Sequence, residues 1–193
     1  MKSSARSAAS AAMVLLLLAF AVGVVHHKVF RWKRFDVVET GKLYRSGMLR
    51  DWQLRQAVEK YGVKTVFSFT FENNDREQRT CDELGVERHF CYLHGNGVGP
   101  DDPYVRFLEI ASNPESRPVL VHCSAGVQRT GGAVALYRSV LQGWGFEQAV
   151  AEMVAKGNSG DPKQVEQLRK IHDRLVYGDG PACPRPNAAR SPL

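Results

Sequence analysis

The pattern of apolar and polar positions divides the middle of the chain into short strands and helices that alternate. Runs rich in β-branched and aromatic residues predict strands, which fall at residues 35–39, 43–45, 63–69, 86–93 and 118–121. Apolar residues at helical spacing predict helices at residues 51–61, 75–84, 104–111, 131–142, 146–156 and 163–176. Strands alternating with helices, followed by a helical C-terminal part, indicate an α/β fold with a central sheet and helices on both of its faces.

Residues that favour helix ends and turns support these limits. Asp51 is a candidate N-cap for the first helix, which Gly62 would end. Asp102, followed by proline, is a candidate N-cap for the helix at 104–111. Thr40-Gly41 predicts a hairpin turn between the first two strands.

A separate apolar segment lies near the N-terminus. Residues 11–25 carry no charge, and basic residues lie on both sides of them: Lys2, Arg6, Lys28, Arg31, Lys33 and Arg34. We expect an uncleaved single-pass membrane anchor, because the basic cluster after the run is typical of side chains that snorkel to a membrane surface. The charge bias favours a cytoplasmic domain. A cleaved signal peptide ending at Ala21-Val22-Gly23, which would export the domain, and a buried core helix are the alternatives.

These features predict three parts of the chain: an anchor with its basic flank at 1–34, one domain at 35–177, and a disordered tail rich in Pro, Ala and Arg at 178–193. The formal net charge is +6, but residues 36–178 alone carry a net charge of −1. The positive charge therefore belongs to the termini. Nucleic-acid binding by the domain is not expected, since no basic stripe with interleaved aromatic residues is present.

The strongest chemical signal is a loop between the predicted strand 118–121 and the helix that follows it. Residues 122–131 read H-C-S-A-G-V-Q-R-T-G, with five residues between Cys123 and Arg129. Backbone N–H groups before a helix favour an anion, so the loop can surround a tetrahedral oxyanion with the Arg129 guanidinium as a bidentate fork. The positive electrostatic potential of these N–H groups and of Arg129 also favours the thiolate form of Cys123. An ordinary buried cysteine in a glycine-containing turn is the alternative.

The loop supplies the predicted substrate-binding residues. They are Ser124, Ala125, Gly126, Val127, Gln128, Arg129 and Thr130. Gly126 permits a close approach of the backbone, and the Thr130 hydroxyl can donate a hydrogen bond to the cysteine sulfur.

This loop resembles the signature of the cysteine-dependent protein phosphatases. Residues 41–47, G-K-L-Y-R-S-G, are similar to the opening segment of the compact dual-specificity branch, and residues 63–66 resemble the strand that follows it. The resemblance extends over residues 36–176. It departs at residues 67–70, F-S-F-T, where the family often has an Asn-Leu-Arg-like run.

The resemblance implies a cysteine-phosphatase-like central sheet flanked by helices, and a reaction through a cysteinyl-phosphate intermediate. In that reaction Cys123 would attack phosphorus, and Arg129 with the loop amides would hold the equatorial oxygens. An acid would protonate the leaving group, and water would then hydrolyse the intermediate. No metal or other cofactor is expected, because Arg129 and the amides supply the positive charge.

The loop motif does not identify the general acid. The family uses an aspartate on a loop that precedes the cysteine, and the corresponding loop here is residues 94–102. Much of the family places that aspartate near the start of the loop, where this chain has His94 and Asn96. We expect Asp101 to be the acid, because the next aspartate is explained as a helix cap. The alternatives are that both aspartates only open the helix, that His94 donates the proton, or that Asp161 does.

Four cysteines are present, at positions 81, 91, 123 and 183, with no C-x-x-C pair and no metal-ligand spacing. Cys123 must remain a free thiol to react, which favours a reducing compartment. Cys81 or Cys91 could form a protective disulfide with Cys123, but burial as ordinary core residues is the interpretation that we favour.

The sequence therefore predicts a phosphatase acting on phosphomonoesters, with phosphotyrosine and then phosphoserine or phosphothreonine of proteins as substrates. A phosphoinositide or other non-protein phosphatase is an alternative, although its 3-phosphatase members carry lysines where this loop has the neutral Ser124 and Val127. A phospho-binding module without turnover is another. A rhodanese-like sulfurtransferase is disfavoured, because its loop is one residue shorter. Partners would be a phosphorylated protein or small phosphomonoester and the membrane, with no nucleic acid, and the domain is expected to be monomeric.

Overall fold

A five-stranded sheet lies at the centre of the domain. The computed structural model describes residue 13, residues 15–18, residue 20 and residues 32–178. The strands are β1 (Asp36–Glu39), β2 (Leu43–Gly47), β3 (Thr65–Ser68), β4 (Glu87–Phe90) and β5 (Val119–Cys123). They lie in the order β1-β2-β5-β3-β4, with β1 antiparallel to β2 and the other neighbours parallel. Every residue of the central strand β5 is buried, which explains why it begins with the apolar run Val119–Val121.

Helices flank the sheet. They are α1 (Asp51–Tyr61), α2 (Asn74–Leu84), α3 (Asp102–Ser112), α4 (Gln128–Leu136, continued by a π-turn at Tyr137–Leu141), α5 (Phe146–Ala155) and α6 (Pro162–Tyr177). The first two helices pack against each other, whereas α3, α5 and α6 pack against α4. The predicted mixed α/β architecture is confirmed.

The parallel strands bring the site together at one edge of the sheet. Gly47 at the end of β2 lies opposite Cys123 at the end of β5, and Ser68 at the end of β3 lies opposite His122. The carboxyl ends of neighbouring parallel strands share an edge, and ligands of open α/β sheets bind there. Residues 46–47, 69–70 and 123–129, which are distant in sequence, therefore become neighbours.

Two helix starts differ from the predicted caps by one residue. Arg50 rather than Asp51 occupies the N-cap of α1, and Asp51 is already helical. Asp101 rather than Asp102 occupies the N-cap of α3, and Asp102 is the first helical residue. In both helices the aspartate still lies in the first turn, where its charge complements the helix dipole.

The predicted membrane anchor requires a correction. Most of segment 1–34 lies outside the described residues, and so does the predicted tail from residue 179 onward. Residue 13, residues 15–18 and residue 20 are helical and exposed. Within the described part of the chain, no helix has both the length and the apolar character needed to cross a bilayer. This finding contradicts the predicted transmembrane helix and the membrane assignment that rested on it. The physical reason is the length of the apolar run, since residues 11–25 are fewer than the roughly 20 apolar residues that a spanning helix needs, and the uncharged residues before them are small or polar.

Candidate active site

The predicted anion loop connects the central strand to a buried helix. Cys123 is the last residue of β5, residues 124–127 form the loop, and α4 begins at Gln128. No side chain caps this helix, because Val127 occupies the N-cap and makes no capping hydrogen bond. The N–H groups of the first turn are thus left for an anion, where the helix dipole also favours negative charge.

Gly126 is required at its position in the loop. Its φ is +73°, in the left-handed region that favours glycine. A Cβ at this position would lie 2.4 Å from the backbone nitrogen of Gly47 and 2.6 Å from the carbonyl carbon of Ser46. The loop therefore packs directly on the end of β2, and this contact turns the N–H of Gly126 onto the sulfur of Cys123, 3.2 Å away.

Arg129 is held by backbone carbonyls that leave part of its guanidinium free. Its Nη1 donates to the carbonyl oxygen of Phe69 at 2.9 Å and to that of Leu93 at 3.4 Å, and its Nη2 donates to Ser124 Oγ at 3.1 Å. Its Nε is buried and has no hydrogen-bond partner among the described residues. Because Nε and Nη2 form one edge of the guanidinium, the arrangement leaves a donor edge that suits an oxyanion.

The pKa of the Cys123 thiol lies below its usual range, although the side chain is only 1% exposed. Burial is the largest single influence and acts to raise the pKa. It is outweighed by the hydroxyl and N–H of Thr130, the Arg129 charge and the N–H of Gly126, which together lower it. The Thr130 hydroxyl is buried without another hydrogen-bond partner in residues 32–178, so it is free to turn toward the thiolate.

The predicted substrate-binding residues are brought together around the thiol. Ser124, Ala125, Gly126 and Val127 form the loop, and Gln128, Arg129 and Thr130 form the first turn of α4. Ser124 Oγ also lies 3.0 Å from the hydroxyl of Thr70. Thr70 follows Phe69, whose carbonyl holds Arg129.

A buried cluster of His122, Glu77 and Arg88 supports the strand end that precedes the loop. Nε2 of His122 lies 2.8 Å from Oε1 of Glu77 on α2, and Arg88 Nε lies 2.7 Å from the other oxygen of the same carboxylate. Burial alone would raise the pKa of Glu77, but the neighbouring His122 and Arg88 outweigh it and lower the pKa. The residue before the nucleophile is thus fixed by a helix that lies far from it in sequence.

Asp101 is oriented toward α6. Its Oδ1 accepts a hydrogen bond from Gln167 Nε2 at 3.0 Å, and its Oδ2 lies 3.3 Å from Arg174 Nη1. The backbone carbonyl of Asp101 accepts the first hydrogen bonds of α3, from the N–H groups of Tyr104 and Val105. The carboxylate is therefore held by α6 in this conformation. Asp161, the last alternative, caps α6 by accepting from the Lys163 N–H at 2.9 Å.

Both polar residues at the start of the same loop are exposed. His94 contacts the ring of Tyr92 edge-on at 5.5 Å, and Asn96 Oδ1 accepts from the N–H of Val98 at 3.1 Å. Tyr92 in turn stacks on Phe71, with ring centroids 4.5 Å apart. Since Phe71 and Tyr92 lie next to the two segments whose carbonyls hold Arg129, an exposed aromatic pair borders the site.

A buried amide network fixes the loop that carries Asp101. The hydroxyl of Tyr104 donates to the carbonyl of Gly97 at 2.8 Å, and Gln164 Nε2 lies 3.1 Å from the same hydroxyl. Gln164 Nε2 also donates to the carbonyl of Gln128 at 3.0 Å. One side chain of α6 therefore links the start of α4 to the loop before α3.

The remaining cysteines behave as core residues rather than nucleophiles. Cys81 and Cys91 are free thiols, and burial raises the pKa of both, that of Cys81 to about 12. Cys183 lies outside the described residues. In those residues we find no group of three or more His, Cys, Asp or Glu side chains arranged to hold a metal ion.

Sequence reasoning missed several residues of the site. Arg45 donates through Nη2 to the carbonyl of Gly126 at 2.9 Å, and Thr70, Glu77 and Gln164 make the contacts described above. Arg45 lies in the segment 41–47 that the sequence singled out, so a signal was present. The other three carry no local signal, because their partners are distant along the chain.

Comparisons with known proteins agree with this geometry. The dual specificity protein phosphatase TpbA of Pseudomonas aeruginosa is 32% identical over 119 residues, which cover 62% of this chain and 52% of that protein. The inositol diphosphatase SIW14 of Saccharomyces cerevisiae is 28% identical over 126 residues, covering 63% of this chain and 44% of that protein. The chain thus spans about half the length of the curated relatives it matches.

Solved structures show the same fold. The crystal structure of P. aeruginosa TpbA matches with a TM-score of 0.61 and 26% identity, covering 75% of this chain and 89% of that one. The core catalytic domain of SIW14 from S. cerevisiae, in complex with citrate, matches with a TM-score of 0.65 and 23% identity, covering 76% and 89%. The family described as DSP-PTPase phosphatase fused to NAD+ kinase matches residues 42–172, more than half of the chain. This chain therefore belongs to that family and to the dual-specificity branch of the cysteine-dependent phosphatases.

Proposed function

We propose that this protein hydrolyses phosphomonoesters through a cysteinyl-phosphate intermediate. The observation that carries the proposal is the buried Cys123, whose lowered pKa favours the thiolate, beside the free guanidinium edge of Arg129. A thiolate in a loop of N–H donors can attack a phosphorus atom whose oxygens those donors hold. A phospho-binding module would need no such nucleophile.

The proposed reaction has two displacements at phosphorus. The Cys123 thiolate attacks phosphorus, an S–P bond forms, and the ester P–O bond breaks. The leaving oxygen takes its proton from a general acid. Water then attacks the same phosphorus and gives a proton to the group that acted as the general acid, the S–P bond breaks, and inorganic phosphate and the thiolate are released. Arg129 and the loop N–H groups stabilise the charge on the equatorial oxygens in both steps.

We propose Asp101 as the general acid, with His94 as the alternative. Asp101 is supported by its place on the loop between β4 and α3, the same loop whose Leu93 carbonyl holds Arg129. To donate a proton it must leave Gln167 and Arg174, which requires its side chain to rotate when substrate binds. His94 is supported by its exposure at the start of the same loop.

Phosphotyrosine in proteins is the substrate that we propose first. Its support is the exposed aromatic pair of Phe71 and Tyr92, 59% and 43% exposed, which can pack against the aryl ring of the substrate. Phosphoserine and phosphothreonine lack that ring and should gain less from this contact. The name of the relative TpbA, a dual specificity protein phosphatase, agrees with a protein substrate.

A non-protein phosphate is the second candidate. It is supported by the similarity to SIW14, an inositol diphosphatase. The neutral loop side chains Ser124 and Val127 oppose it, because a highly charged inositol phosphate would gain from cations at those positions.

A substrate panel tests the proposal and separates the two candidates. We would measure kcat/KM of the full chain on p-nitrophenyl phosphate, phosphotyrosyl and phosphoseryl peptides, phosphoinositides and inositol pyrophosphates. Phosphotyrosyl peptides should be hydrolysed most efficiently, and Phe71→Ala should reduce that preference. A preference for inositol pyrophosphates that Phe71→Ala leaves unchanged would favour the second candidate.

Replacement of the nucleophile tests the mechanism. Cys123→Ser should abolish turnover while phosphate binding is retained, because the loop N–H groups and Arg129 remain. Hydrolysis by this variant within about tenfold of wild type would contradict the covalent mechanism, since nucleophile removal costs many orders of magnitude in such enzymes.

A further inference from the structure

Arg45 is a buried cation without a carboxylate partner. It lies in β2 and is 4% exposed, and its side chain makes one hydrogen bond within the described residues, from Nη2 to the carbonyl of Gly126 at 2.9 Å. It forms no ion pair with any carboxylate in residues 32–178. Burial lowers its pKa, although the charges of Asp36, Glu152 and Cys123 act in the opposite direction. Buried charges in proteins are normally paired, so a guanidinium without an ion pair is a candidate to bind an anion.

A cavity of about 330 Å³ opens beside this guanidinium. It is lined by Arg34, Phe35, Asp36, Arg45, Gly126 and Lys156. We call it the Arg45 cavity. Its volume lies within the range of small-molecule sites.

The lining of the Arg45 cavity has an excess of positive charge. It contains three cations and one carboxylate, that of Asp36, whose Oδ2 lies 2.5 Å from Lys156 Nζ. That pair is neutral, so the charges of Arg34 and Arg45 remain uncompensated. The nearby Glu152 is engaged by Arg138 through two hydrogen bonds of 3.0 Å, and that pair is neutral as well.

The Arg45 cavity lies on the opposite side of the loop from the nucleophile. Arg34 Nη1 donates to the carbonyl of Ala125 at 3.0 Å, and Arg45 donates to that of Gly126. The N–H of Gly126 points the other way, to the Cys123 sulfur. One peptide segment therefore has N–H groups facing the catalytic pocket and carbonyls facing the two arginines. An anion bound to these arginines would compete with the carbonyls for their N–H groups and so act on the loop.

We propose that the Arg45 cavity is a second anion site, which binds a phosphate group through Arg34, Arg45 and Lys156. Two sources can supply that group: a further phosphate of a multiply phosphorylated substrate, or free inorganic phosphate, the product of the reaction. That either source reaches the protein during turnover rests on the proposed function, whereas the anion site itself does not.

Titration with inorganic phosphate tests the site on the full chain. Backbone amide resonances of residues 35 and 36 report the Arg45 cavity in NMR spectra, and those of residues 128 and 129 report the catalytic loop. We expect two binding curves with different midpoints. In the variant Lys156→Gln, which removes a cation of the cavity that does not contact the loop, the first curve should move to at least fivefold higher phosphate concentration, while the second stays unchanged.

A matched control removes a similar surface ion pair elsewhere. Lys170→Gln breaks the exposed pair with Glu166 on α6, and it should leave both curves unchanged. The proposal is overturned if the resonances of residues 35 and 36 do not respond at ten times the phosphate concentration that saturates the loop. It is equally overturned if their curve is the same in Lys156→Gln as in wild type.

Kinetics then distinguish the two sources. If the site takes a substrate phosphate, Lys156→Gln should raise KM at least fivefold for a bisphosphorylated substrate and leave KM for p-nitrophenyl phosphate unchanged. If it takes free phosphate, both substrates keep their KM, and product inhibition changes from mixed in wild type to competitive in Lys156→Gln. Failure of the proposed function would appear separately, as absence of turnover that depends on Cys123, and the titration would still decide the anion site.

Discussion

Cys123 and Thr130 form the pair of residues on which the chemistry of the loop depends. The thiol is buried in surroundings that would by themselves keep it protonated, and the Thr130 hydroxyl is one of the groups that reverse this. The hydroxyl is buried and has no other hydrogen-bond partner in the described domain, so it is available to stabilise the sulfur. A hydrogen bond from the Thr130 hydroxyl stabilises the thiolate more than the thiol, and it therefore lowers the pKa of Cys123.

Thr130→Val should raise the pKa of Cys123. A hydrogen bond to a charged group contributes about 1.5–3 kcal/mol, and about 1.4 kcal/mol corresponds to one pKa unit, so we expect a rise of one to two units. The pH dependence of alkylation by iodoacetamide measures it, with Cys183→Ser in the background. Cys81 and Cys91 should not interfere, because burial raises their pKa.

Thr130→Ser is the matched control, since it keeps the hydroxyl and should leave the alkylation curve close to wild type. The same curve in the valine variant as in wild type would show that the backbone N–H groups and Arg129 alone keep the thiol ionised.

The general acid can be identified from its dependence on the leaving group. Asp101→Asn should reduce kcat by about 100-fold on alkyl phosphates, whose leaving oxygen needs a proton, and by less than tenfold on p-nitrophenyl phosphate. Arg174→Gln is the companion variant, because it frees the Asp101 carboxylate from its contact on α6 without removing the carboxylate. If His94→Ala shows the leaving-group dependence and Asp101→Asn does not, then the histidine is the donor.

At the scale of the elements, the sequence was informative where the signal is local. The limits of α1 match the prediction, and the loop between β5 and α4 lies where its motif indicated. Strand β4 ends at Phe90 and is shorter than predicted, since the chain leaves the sheet after the last hydrogen bond, from the Cys91 N–H to Ser68, and brings the Leu93 carbonyl to Arg129. Sequence patterns describe which residues can be extended, but not which of them find a hydrogen-bonding neighbour.

Contacts between elements explain what the sequence could not provide. In the sequence, Arg45 is one residue of a conspicuous segment with no indicated role. Its contact with the catalytic loop depends on β2 lying beside β5, and the hydrophobic periodicity of the sequence does not predict that pairing. Glu77 looked like one of several acidic residues on a solvated helix face, and only the packed structure turns it toward His122. Buried polar partners that are far apart in sequence are invisible until the topology is known.

Glu77→Gln should destabilise the domain, because it leaves the buried Arg88 without its carboxylate. Breaking one partner of a buried ion pair costs about 3–5 kcal/mol of unfolding free energy. Urea denaturation at pH 7 measures the loss. Glu83→Gln on the same helix α2 is the matched control: its pair with Arg55 is exposed, and such pairs contribute about 0–1 kcal/mol.

The difference in unfolding free energy between wild type and Glu77→Gln should depend on pH in a definite direction. The folded-state pKa of Glu77 is lowered, so its stabilisation is fully present above the ordinary glutamate pKa of about 4.3. It is lost as the pH falls through the lower, folded-state value. The difference between wild type and Glu77→Gln should therefore be constant from pH 5 upward and shrink below pH 4. A difference that is the same at pH 3 and pH 7 would show that the charge of Glu77 is not what stabilises the cluster.

At the scale of the whole molecule, the residues at the N-terminal boundary of the domain contact the catalytic loop and the strand beside it. Sequence analysis predicted a domain beginning at residue 35 and assigned Lys33 and Arg34 to the preceding segment. The carbonyl of Lys33 accepts a hydrogen bond from the N–H of Gly47 at 2.6 Å, and Arg34 donates to the carbonyl of Ala125 at 3.0 Å. Two residues outside the predicted domain therefore contact β2 and the catalytic loop.

We expect a fragment of residues 33–178 to be more stable and more active than one of residues 35–178. The shorter fragment loses two hydrogen bonds, each contributing about 0.5–1.5 kcal/mol, which for a domain of this size lowers Tm by about 3–10 °C. Its kcat/KM on p-nitrophenyl phosphate should fall as well, because the Ala125 carbonyl is no longer held. Thermal unfolding and initial rates measure both effects. A fragment of residues 33–177 is the control, since it removes only Gly178, which follows the end of α6, and should behave as 33–178 does. Equal Tm and equal rates for the 33–178 and 35–178 fragments would place the boundary at residue 35 and remove Arg34 from the support of the loop.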